Sequence, residues 1–341
     1  MVRILLVFTG LFLVSCSDQP ATLSFTGQTM GTTYNIVAID HSAALDRGQV
    51  KAAIDATLDR VNGQLSNWDP NAEISLWNAA KTTEPIKISP ALSDVVEMAQ
   101  IVHADSEGQF DMTLGPLIEL WGFGTREFDT PVPSEDAIRE ALDKTGQDRL
   151  ITLDTDALTL TKLEPDVTLY IAALAKGYGI DQVAGALEGF GLTDFMVEIG
   201  GDLKTAGLNP EGEAWRIGIE RPDSMPGAIR EIVELSGQGM ATSGDYRNYF
   251  EVNDVRFSHI IDSETGRPIT HKTASVTVIS ETAALADAWA TALLVLGENE
   301  GMAIAVELDV AAYFIVRDAT SQETEFISAS SPRFEALQNI N

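Results

Sequence analysis

Residues 275–297, SVTVISETAALADAWATALLVLG, constrain the fold more than any other stretch of this chain. The β-branched residues at its start predict a strand, and a polar cap then leads into a helix over about residues 282–296. The apolar residues that recur at helical spacing on one face of this helix are Leu285, Ala288, Trp289, Ala292, Leu293 and Leu296. Leu294 extends the apolar character to the opposite face, so the helix is expected to be buried on most of its sides.

Asp287 is the only charged residue in this predicted helix. A buried carboxylate must be hydrogen-bonded, paired or bound to a cation, because an isolated buried charge is costly. Thr291 follows one turn later on the same face, so a carboxylate and a hydroxyl oxygen point to one place. Oxygen ligands of this kind suit Mg²⁺ or Ca²⁺ better than Zn²⁺. The structural alternative is that Asp287 braces a neighbouring loop and Thr291 bonds back to a carbonyl.

The composition describes an acidic globular protein. The chain has 341 residues, of which 45% are hydrophobic, and its formal net charge is −29. Such a charge argues against nucleic acid as a partner, because nucleic-acid binding relies on basic surfaces. A phosphorylated ligand on an acidic protein calls for a cation between phosphate and carboxylate. The charge is equally compatible with a solubility adaptation, for example to salt.

The first residues predict export and lipid attachment. Arg3 precedes an apolar run over residues 4–14, which is too short to span a bilayer and is typical of a signal-peptide core. The run ends in Leu-Val-Ser-Cys, which resembles a bacterial lipobox, and Cys16 is the only cysteine. We therefore predict a signal peptide over residues 1–15 and a lipidated tether over residues 16–23. An ordinary secretory signal with an incidental cysteine is the alternative.

The remaining segments intermix helices and strands, so the predicted class is α+β, or mixed α/β. Residues 23–39 predict two strands joined by a glycine turn, and residues 89–104 predict a helix. A further helix is predicted from Tyr178 onward, with Lys176 at its start, where amides and charge can hold phosphate. Residues 239–244, GMATSG, predict a turn, and a strand bearing His259 follows it.

Several short motifs, taken together and in order, are similar to those of one known family. They are TMGTTY (29–34), WDPNAEIS (68–75), FDMTLGPL (110–117), WGFG (121–124), AKGYGID (175–181), EIGGD (198–202), ATSGDY (241–246), HIIDSETGRPI (259–269) and ADAWAT (286–291). Each motif alone is weakly specific. The ordered set resembles the ApbE family, the FAD:protein FMN transferases.

The resemblance implies an ApbE-like domain over residues 24–335, with mixed sheets flanked by helices and a ligand cleft between two subdomains. It implies an enzyme that uses Mg²⁺ to transfer FMN from FAD to a Thr or Ser hydroxyl and releases AMP. The implied acceptor is a subunit of a membrane redox complex, such as one of the Na⁺-translocating NADH:quinone reductase type. The implied location is the bacterial cell envelope, with the lipid anchor in a membrane and the domain facing the periplasm.

The resemblance also assigns site residues. The metal ligands it implies are Asp287, Thr291 and the backbone carbonyl of Ala173. The FAD contacts it implies are Met30, Trp68, a strand formed by Gln109, Phe110 and Asp111, Tyr170, Lys176, and the segment His259, Ile260 and Ile261. Tyr170 and Ile171 stand where family members commonly have Asp-Leu, so the nucleotide contact at Tyr170 departs from the family pattern. Trp68 stands where many relatives have Tyr, and either ring can stack.

The reaction requires a base near the attacking hydroxyl and neutralised charge on the pyrophosphate. Asp287 is assigned to the second task through the metal. His259 is the histidine in a matched motif and is the candidate base, although a histidine in a strand is often only a satisfied core residue. The alternatives are an FAD pyrophosphatase that produces FMN and AMP with water as the nucleophile, and a non-catalytic flavin-binding lipoprotein.

Overall fold

A computed structural model describes residues 20–124, 132–222, 228–253, 255–318 and 325–338. The predicted signal peptide and Cys16 lie outside the described residues. The first strand begins at Ala21, so residues 21–23, which the sequence analysis assigned to the tether, already belong to the folded domain. None of the described helices is both long and apolar enough to cross a bilayer.

An antiparallel sheet of eight strands forms the centre of the protein, with the order β1-β2-β6-β7-β10-β13-β14-β15. Its strands are β1 (Ala21–Thr29), β2 (Thr32–Asp40), β6 (Phe195–Ile199), β7 (Asp202–Ala206), β10 (Gly239–Gly244), β13 (Thr273–Ser280), β14 (Ala311–Arg317) and β15 (Phe326–Ser330). The smaller sheets are built from β3 (Ile86–Lys87), β5 (Thr159–Lys162) and β4 (Ile151–Asp154), from β8 (Trp215–Glu220) and β9 (Ile229–Leu235), and from β11 (Tyr249–Val252) and β12 (Val255–Ser258).

The helices are α1 (Arg47–Leu65), α2 (Glu73–Ala79), α3 (Pro90–Asp105), α4 (Gly115–Leu120), α5 (Glu135–Leu142), α6 (Gln147–Leu150), α7 (Ala172–Gly189), α8 (Ala283–Glu307) and α9 (Pro332–Gln338). The predicted α+β class is thus confirmed. The predicted hairpin at residues 23–39 is β1–β2, which pairs from Ala21 with Asp40 to Thr29 with Thr32. The predicted helix at residues 89–104 is α3, and the hydroxyl of Ser89 caps it by accepting from the backbone N–H of Leu92.

Both faces of the central sheet are covered by other elements of the protein. Val276 and Val278 of β13 and Phe314 of β14 pack with Leu293 of α8 in the largest hydrophobic core. On the opposite face, Met240 of β10 and Ile279 of β13 belong to a second core that also contains residues of β9 and α9. All of β13 except its last residue is buried, as expected for a strand that is covered on both faces.

Helix α8 lies against the central sheet and against α7 at a distance that only glycine allows. A Cβ atom on Gly177 of α7 would lie 2.3 Å from the carbonyl oxygen of Ala283, and one on Gly239 would lie 2.4 Å from the nitrogen of Ala283. The predicted end of the helix at residue 296 coincides with a break at Gly297, whose φ of 76° and ψ of 178° are non-helical. A second helical stretch then continues to Glu307.

Three predictions of local structure were wrong. Residues 239–244 form strand β10 and not a turn, because the small residues there serve the close approach of α8. Residues 109–111 form a loop between α3 and α4 and not a strand. Helix α7 begins at Ala172, six residues before the predicted start at Tyr178, because the alanines before Lys176 are themselves strong helix formers. Lys176 therefore lies one turn inside the helix.

Candidate functional site

The start of α8 is held by side chains from both sides. The hydroxyl of Thr282 accepts from the backbone N–H of Leu285 at 3.2 Å. Asp181 of α7 accepts from the N–H groups of Ala283 and Ala284 at 3.1 and 2.9 Å. A carboxylate at a helix N-terminus satisfies otherwise unpaired donors and complements the helix dipole. These contacts fix the register between α7 and α8, and hence the position of Asp287 one turn later.

The partner that Asp287 requires is Lys176 of α7. The Lys176 ammonium lies 3.2 Å from each carboxylate oxygen of Asp287, and it also forms an ion pair with Asp202 of β7. Asp287 and Asp202 are 3% and 2% exposed. Asp202 is fixed in turn by the backbone N–H of Thr242, which donates to it at 3.1 Å. One ammonium thus neutralises two buried carboxylates only in part.

The pKa shifts of Asp287 and Lys176 arise first from burial and then from the charges of the cluster. Burial raises the pKa of Asp287 to about 7, and the charge of Asp202 adds to the effect, while Lys176 and the N–H of Gly177 oppose it. Burial alone lowers the pKa of Lys176, but the two carboxylates more than offset it, so this pKa lies above its ordinary value. The cluster is therefore a place where additional positive charge is stabilised.

The groups around Asp287 offer oxygen ligands and negative charge, and a hard divalent cation requires both. The backbone N–H of Gly177 donates to Asp287 at 3.2 Å, and in a regular helix this N–H faces the carbonyl of Ala173. The carboxylate thus reaches the turn of α7 that carries the predicted carbonyl ligand. Thr291 lies one turn beyond Asp287, and its hydroxyl is 3.0 Å from the hydroxyl of Ser243. Within the described ranges no group of three or more His, Cys, Asp or Glu side chains is arranged to hold a metal, so a cation here depends on hydroxyl, carbonyl and ligand oxygens as well.

His259, which the sequence analysis placed within a strand, lies directly after Ser258, where β12 ends, and is held by a backbone carbonyl. Both its backbone N–H and its ring Nδ1 contact the carbonyl oxygen of Asn248, at 3.1 and 3.0 Å. A carbonyl only accepts, so Nδ1 carries the proton and Nε2 keeps the lone pair of a base. Burial lowers the pKa of His259, the Asn248 contact and Asp245 oppose this shift, and Lys176 adds to it. The imidazole is thus neutral at neutral pH.

Two aromatic side chains, Trp68 and Tyr170, contact each other beside the start of α7. Trp68 is 59% exposed and meets the ring of Tyr170 edge-on, with 5.6 Å between centroids and 69° between planes. Burial raises the pKa of Tyr170 to about 12, with a contribution from Glu119, so the phenol is neutral. Met30 has a left-handed φ of 50°. Its Cε lies 2.6 Å from the position that a Cβ atom on Gly179 would take, so Met30 packs on the turn of α7 that follows Lys176. An exposed indole on a rigid neighbour offers a stacking surface for a flat ring.

The loop 109–111, which the sequence analysis assigned to FAD, is held by contacts within the protein. Asp111 accepts from the backbone N–H and hydroxyl of Thr113, both at 2.6 Å, and so stabilises its own turn. The ring of Phe110 is buried, and its carbonyl faces Nδ1 of His103 at 2.7 Å.

Gln109 lines a cleft together with Asp262, Thr270 and Lys272. Ile260 and Ile261 have buried side chains, so any ligand contact by them would be through the backbone.

Asp202 and Asn248 are the residues of the site that the sequence analysis did not assign. Asp202 ends the quoted EIGGD motif, and its position after a tight glycine turn was the available signal. Its partner Lys176 is distant in sequence, and periodicity does not report contacts between distant segments. Asn248 acts through its carbonyl, which no side-chain pattern reveals.

Comparison with known proteins places this chain among flavin transferases. A model of the ApbE family matches residues 30–314. A relative from Vibrio cholerae, named FAD:protein FMN transferase, is 39% identical over 90% of this chain and 91% of its own length. An Escherichia coli K12 protein of the same name is 34% identical over 98% of this chain and 97% of its own length.

Solved structures agree in fold. The flavin transferase ApbE from Vibrio cholerae superposes with a TM-score of 0.85 at 36% identity, covering 93% of this chain and 99% of that one. The apo form of the Pseudomonas stutzeri flavinyl transferase ApbE gives a TM-score of 0.85 at 35% identity, covering 98% and 100%. With the family model spanning most of its length and close relatives over nearly all of it, this chain belongs to the ApbE family.

Proposed function

We propose that this chain is an FAD:protein FMN transferase that moves FMN from FAD to a Thr or Ser hydroxyl of an acceptor protein and releases AMP. The observation that carries the proposal is the pair of buried carboxylates, Asp202 and Asp287, on the ammonium of Lys176, together with an oriented His259 whose pKa is lowered in part by the charge of Lys176. Relatives that align with nearly the whole chain bear the name of this activity.

The reaction exchanges one phosphorus–oxygen bond for another. The acceptor oxygen attacks the phosphorus of FAD on the FMN side, and the bond from that phosphorus to the oxygen bridging to AMP breaks. The acceptor hydroxyl loses its proton, and AMP leaves with the bridging oxygen. Water is neither consumed nor released, so the acceptor gains FMN through a phosphoester bond.

His259 is the group suited to take the proton. Its Nε2 has a lone pair because Nδ1 donates to Asn248, and burial keeps the ring neutral. A base whose pKa lies at or somewhat below the working pH is effective for a proton that is lost as bond formation proceeds. The contact with Asn248 also fixes the direction in which Nε2 points.

Lys176 and Asp287 meet the charge requirement of a pyrophosphate. The Lys176 side chain is 32% exposed, so Lys176 can interact with a phosphate while it remains anchored to Asp202. Asp287, Thr291 and the Ala173 carbonyl are the oxygens that would hold Mg²⁺. When bound, Mg²⁺ supplies positive charge to the phosphate oxygens as negative charge develops on the leaving group.

The cellular setting belongs to the same proposal. The lipobox-like sequence at Cys16 supports a lipid anchor in the bacterial cell envelope, with the domain in the periplasm. The acceptor would then be a subunit of a membrane redox complex that exposes a Thr or Ser hydroxyl to this compartment. The net charge of −29 speaks against a nucleic-acid partner.

Incubation of the purified protein with FAD, Mg²⁺ and candidate redox subunits tests the proposal. AMP would be measured by chromatography and protein-bound flavin by in-gel fluorescence. The proposal requires both products in equal amounts. AMP with free FMN and no flavinylated subunit would instead identify a pyrophosphatase, and FAD binding without AMP would identify a flavin-binding lipoprotein.

A further inference from the structure

The loop that follows β10 carries the carbonyl that orients His259. This loop runs from Asp245 to Asn248, and β11 starts at the next residue, Tyr249. Asn248 is itself exposed and lies four residues after Gly244, the last residue of β10 in the central sheet. An exposed loop residue holds a catalytic group well only if the loop is anchored nearby.

Asp245 supplies that anchor. It is 7% exposed, and Arg317 at the end of β14 binds it in a bidentate manner, with Nη1 2.8 Å and Nη2 2.5 Å from its carboxylate oxygens. The backbone N–H of Asp245 donates to Ala274 at 3.1 Å, and its carbonyl accepts from Nη2 of Arg256 at 3.0 Å. Asp245 is thus tied to β14, to β13 and to the β11–β12 hairpin.

Charged groups near His259 act on the pKa of its imidazole, and Asp245, the anchor of the loop, is one of them. Asp245 stabilises the protonated form of His259, and Lys176 destabilises it. The ring of Phe123 meets the imidazole edge-on with 6.3 Å between centroids. A planar two-bond ion pair fixes both the distance and the angle between its partners, which a single contact does not.

We propose that the Asp245–Arg317 ion pair is a positioning device that holds the Asn248 carbonyl against His259 and thereby keeps Nε2 as the free, correctly directed base nitrogen. Without the pair, the loop can move away from the imidazole, and the proton is then free to occupy either ring nitrogen. This inference rests on the proposed function, in which His259 accepts the proton of the acceptor hydroxyl. Asp245 and Arg317 are not among the residues assigned to FAD or the metal, so in this proposal they act only through His259.

The test reads the tautomer of His259 directly. Protein labelled with ¹⁵N-histidine gives long-range ¹H–¹⁵N spectra in which the two neutral tautomers differ, and the His259→Gln variant identifies the signals of His259. Wild-type protein is expected to show the Nδ1–H tautomer. Arg317→Gln is expected to show both tautomers, and Arg317→Lys, which retains the charge but not the two-bond geometry, an intermediate proportion.

Activity provides the second measurement. Arg317→Gln is expected to lower kcat for FMN transfer by about 10- to 100-fold, within the range of a general-base contribution, and to leave KM for FAD nearly unchanged. Arg333→Gln is the matched control, because Arg333 pairs with Asp309 at 3.8 Å in an exposed ion pair. This variant is expected to match wild type in spectrum and in kcat.

The inference is overturned if Arg317→Gln keeps the wild-type tautomer, or if Arg333→Gln alters it as strongly. Should Arg317→Gln fail to fold, Asp245→Asn and Arg317→Lys are measured in its place, because both retain a hydrogen bond between these positions. The tautomer is observed without substrate, so the result does not depend on FMN transfer. Unimpaired transfer by His259→Gln would contradict the base assignment in the proposed function and leave the tautomer result to decide the role of the ion pair.

Discussion

Asp287 is the residue on which the proposed chemistry depends most. In Asp287→Asn the shape and one hydrogen-bond acceptor remain, but the charge that stabilises a divalent cation is lost. We expect turnover to fall by about 10³-fold, because charge stabilisation in a transition state of this kind amounts to several kcal/mol. FAD binding should fall much less, since the walls of the site are unchanged. The measurement is FMN transfer across a magnesium titration, with thermal unfolding recorded in parallel.

The control for this variant is Asp309→Asn, which removes an exposed carboxylate at a residue with a left-handed φ of 54°. Asparagine tolerates that conformation, so folding and transfer should match wild type. If Asp287→Asn transfers FMN normally at low magnesium and is merely less stable, Asp287 is a structural brace and the metal assignment is refuted.

Trp68 is the residue whose exposure most suggests a stacking role. Trp68→Ala should weaken FAD binding by about 1–3 kcal/mol if the indole covers a ring of the ligand. Trp68→Tyr, which retains an aromatic ring at this position, should recover most of the affinity. Fluorescence titration with FAD measures both variants, and an unchanged dissociation constant in Trp68→Ala would place the indole outside the ligand site.

At the scale of elements, α2 depends on a buried lysine from β5. Lys162 is fully buried and donates to the carbonyls of Asn78 and Ala80 at 3.0 and 2.7 Å, at the C-terminal end of α2. Its ammonium also lies 4.5 Å from the ring centroid of Trp77. Burial lowers the pKa of Lys162 to about 8, with a contribution from the charge of Lys81, while Asp166 opposes the shift.

This pKa predicts a pH dependence of stability with a definite sign. Between pH 8 and the ordinary lysine pKa of about 10.4, the unfolded chain binds a proton that the folded chain has lost. The free energy of unfolding therefore gains a contribution that rises with pH in this window. The difference in this free energy between wild type and Lys162→Met, measured by urea unfolding from pH 7 to 10.5, should increase with pH. A constant difference would show that Lys162 titrates normally.

The elements that the sequence predicted correctly are those determined by local signals. The hairpin β1–β2 follows from a glycine turn between alternating strands, and α3 from its Ser89 cap. Strand β10 was missed because glycine is typical of turns. Gly239 instead allows α8 to pack closely against the strand, and this contact joins segments that are distant in the sequence. For the same reason the need of Asp287 for a partner was predictable, but neither the identity of that partner, Lys176, nor the second ion pair of Lys176 with Asp202 was predictable.

At the scale of the whole molecule, the acidic surface and the N-terminal segment bear on the cellular compartment in which the protein works. If Cys16 carries a lipid, Cys16→Ser should remain unprocessed at this site and leave the membrane fraction. Acyl chains bind a membrane through burial of their methylene groups, and the folded domain has no described helix that replaces them. Fractionation with a carbonate wash measures this, and a variant that stays with the membrane would contradict lipidation at Cys16.

The central claim is that the hydroxyl of a protein, and not water, attacks the FMN-side phosphorus of FAD. The most direct measurement is the reaction in H₂¹⁸O with Mg²⁺ and an acceptor, followed by mass spectrometry of AMP, free FMN and the acceptor. We predict unlabelled AMP and an acceptor that gains unlabelled FMN in equal amount. Free FMN carrying one ¹⁸O, with the acceptor unmodified, would show that water is the nucleophile, and ¹⁸O in AMP would show attack at the other phosphorus; either result would contradict the proposed function.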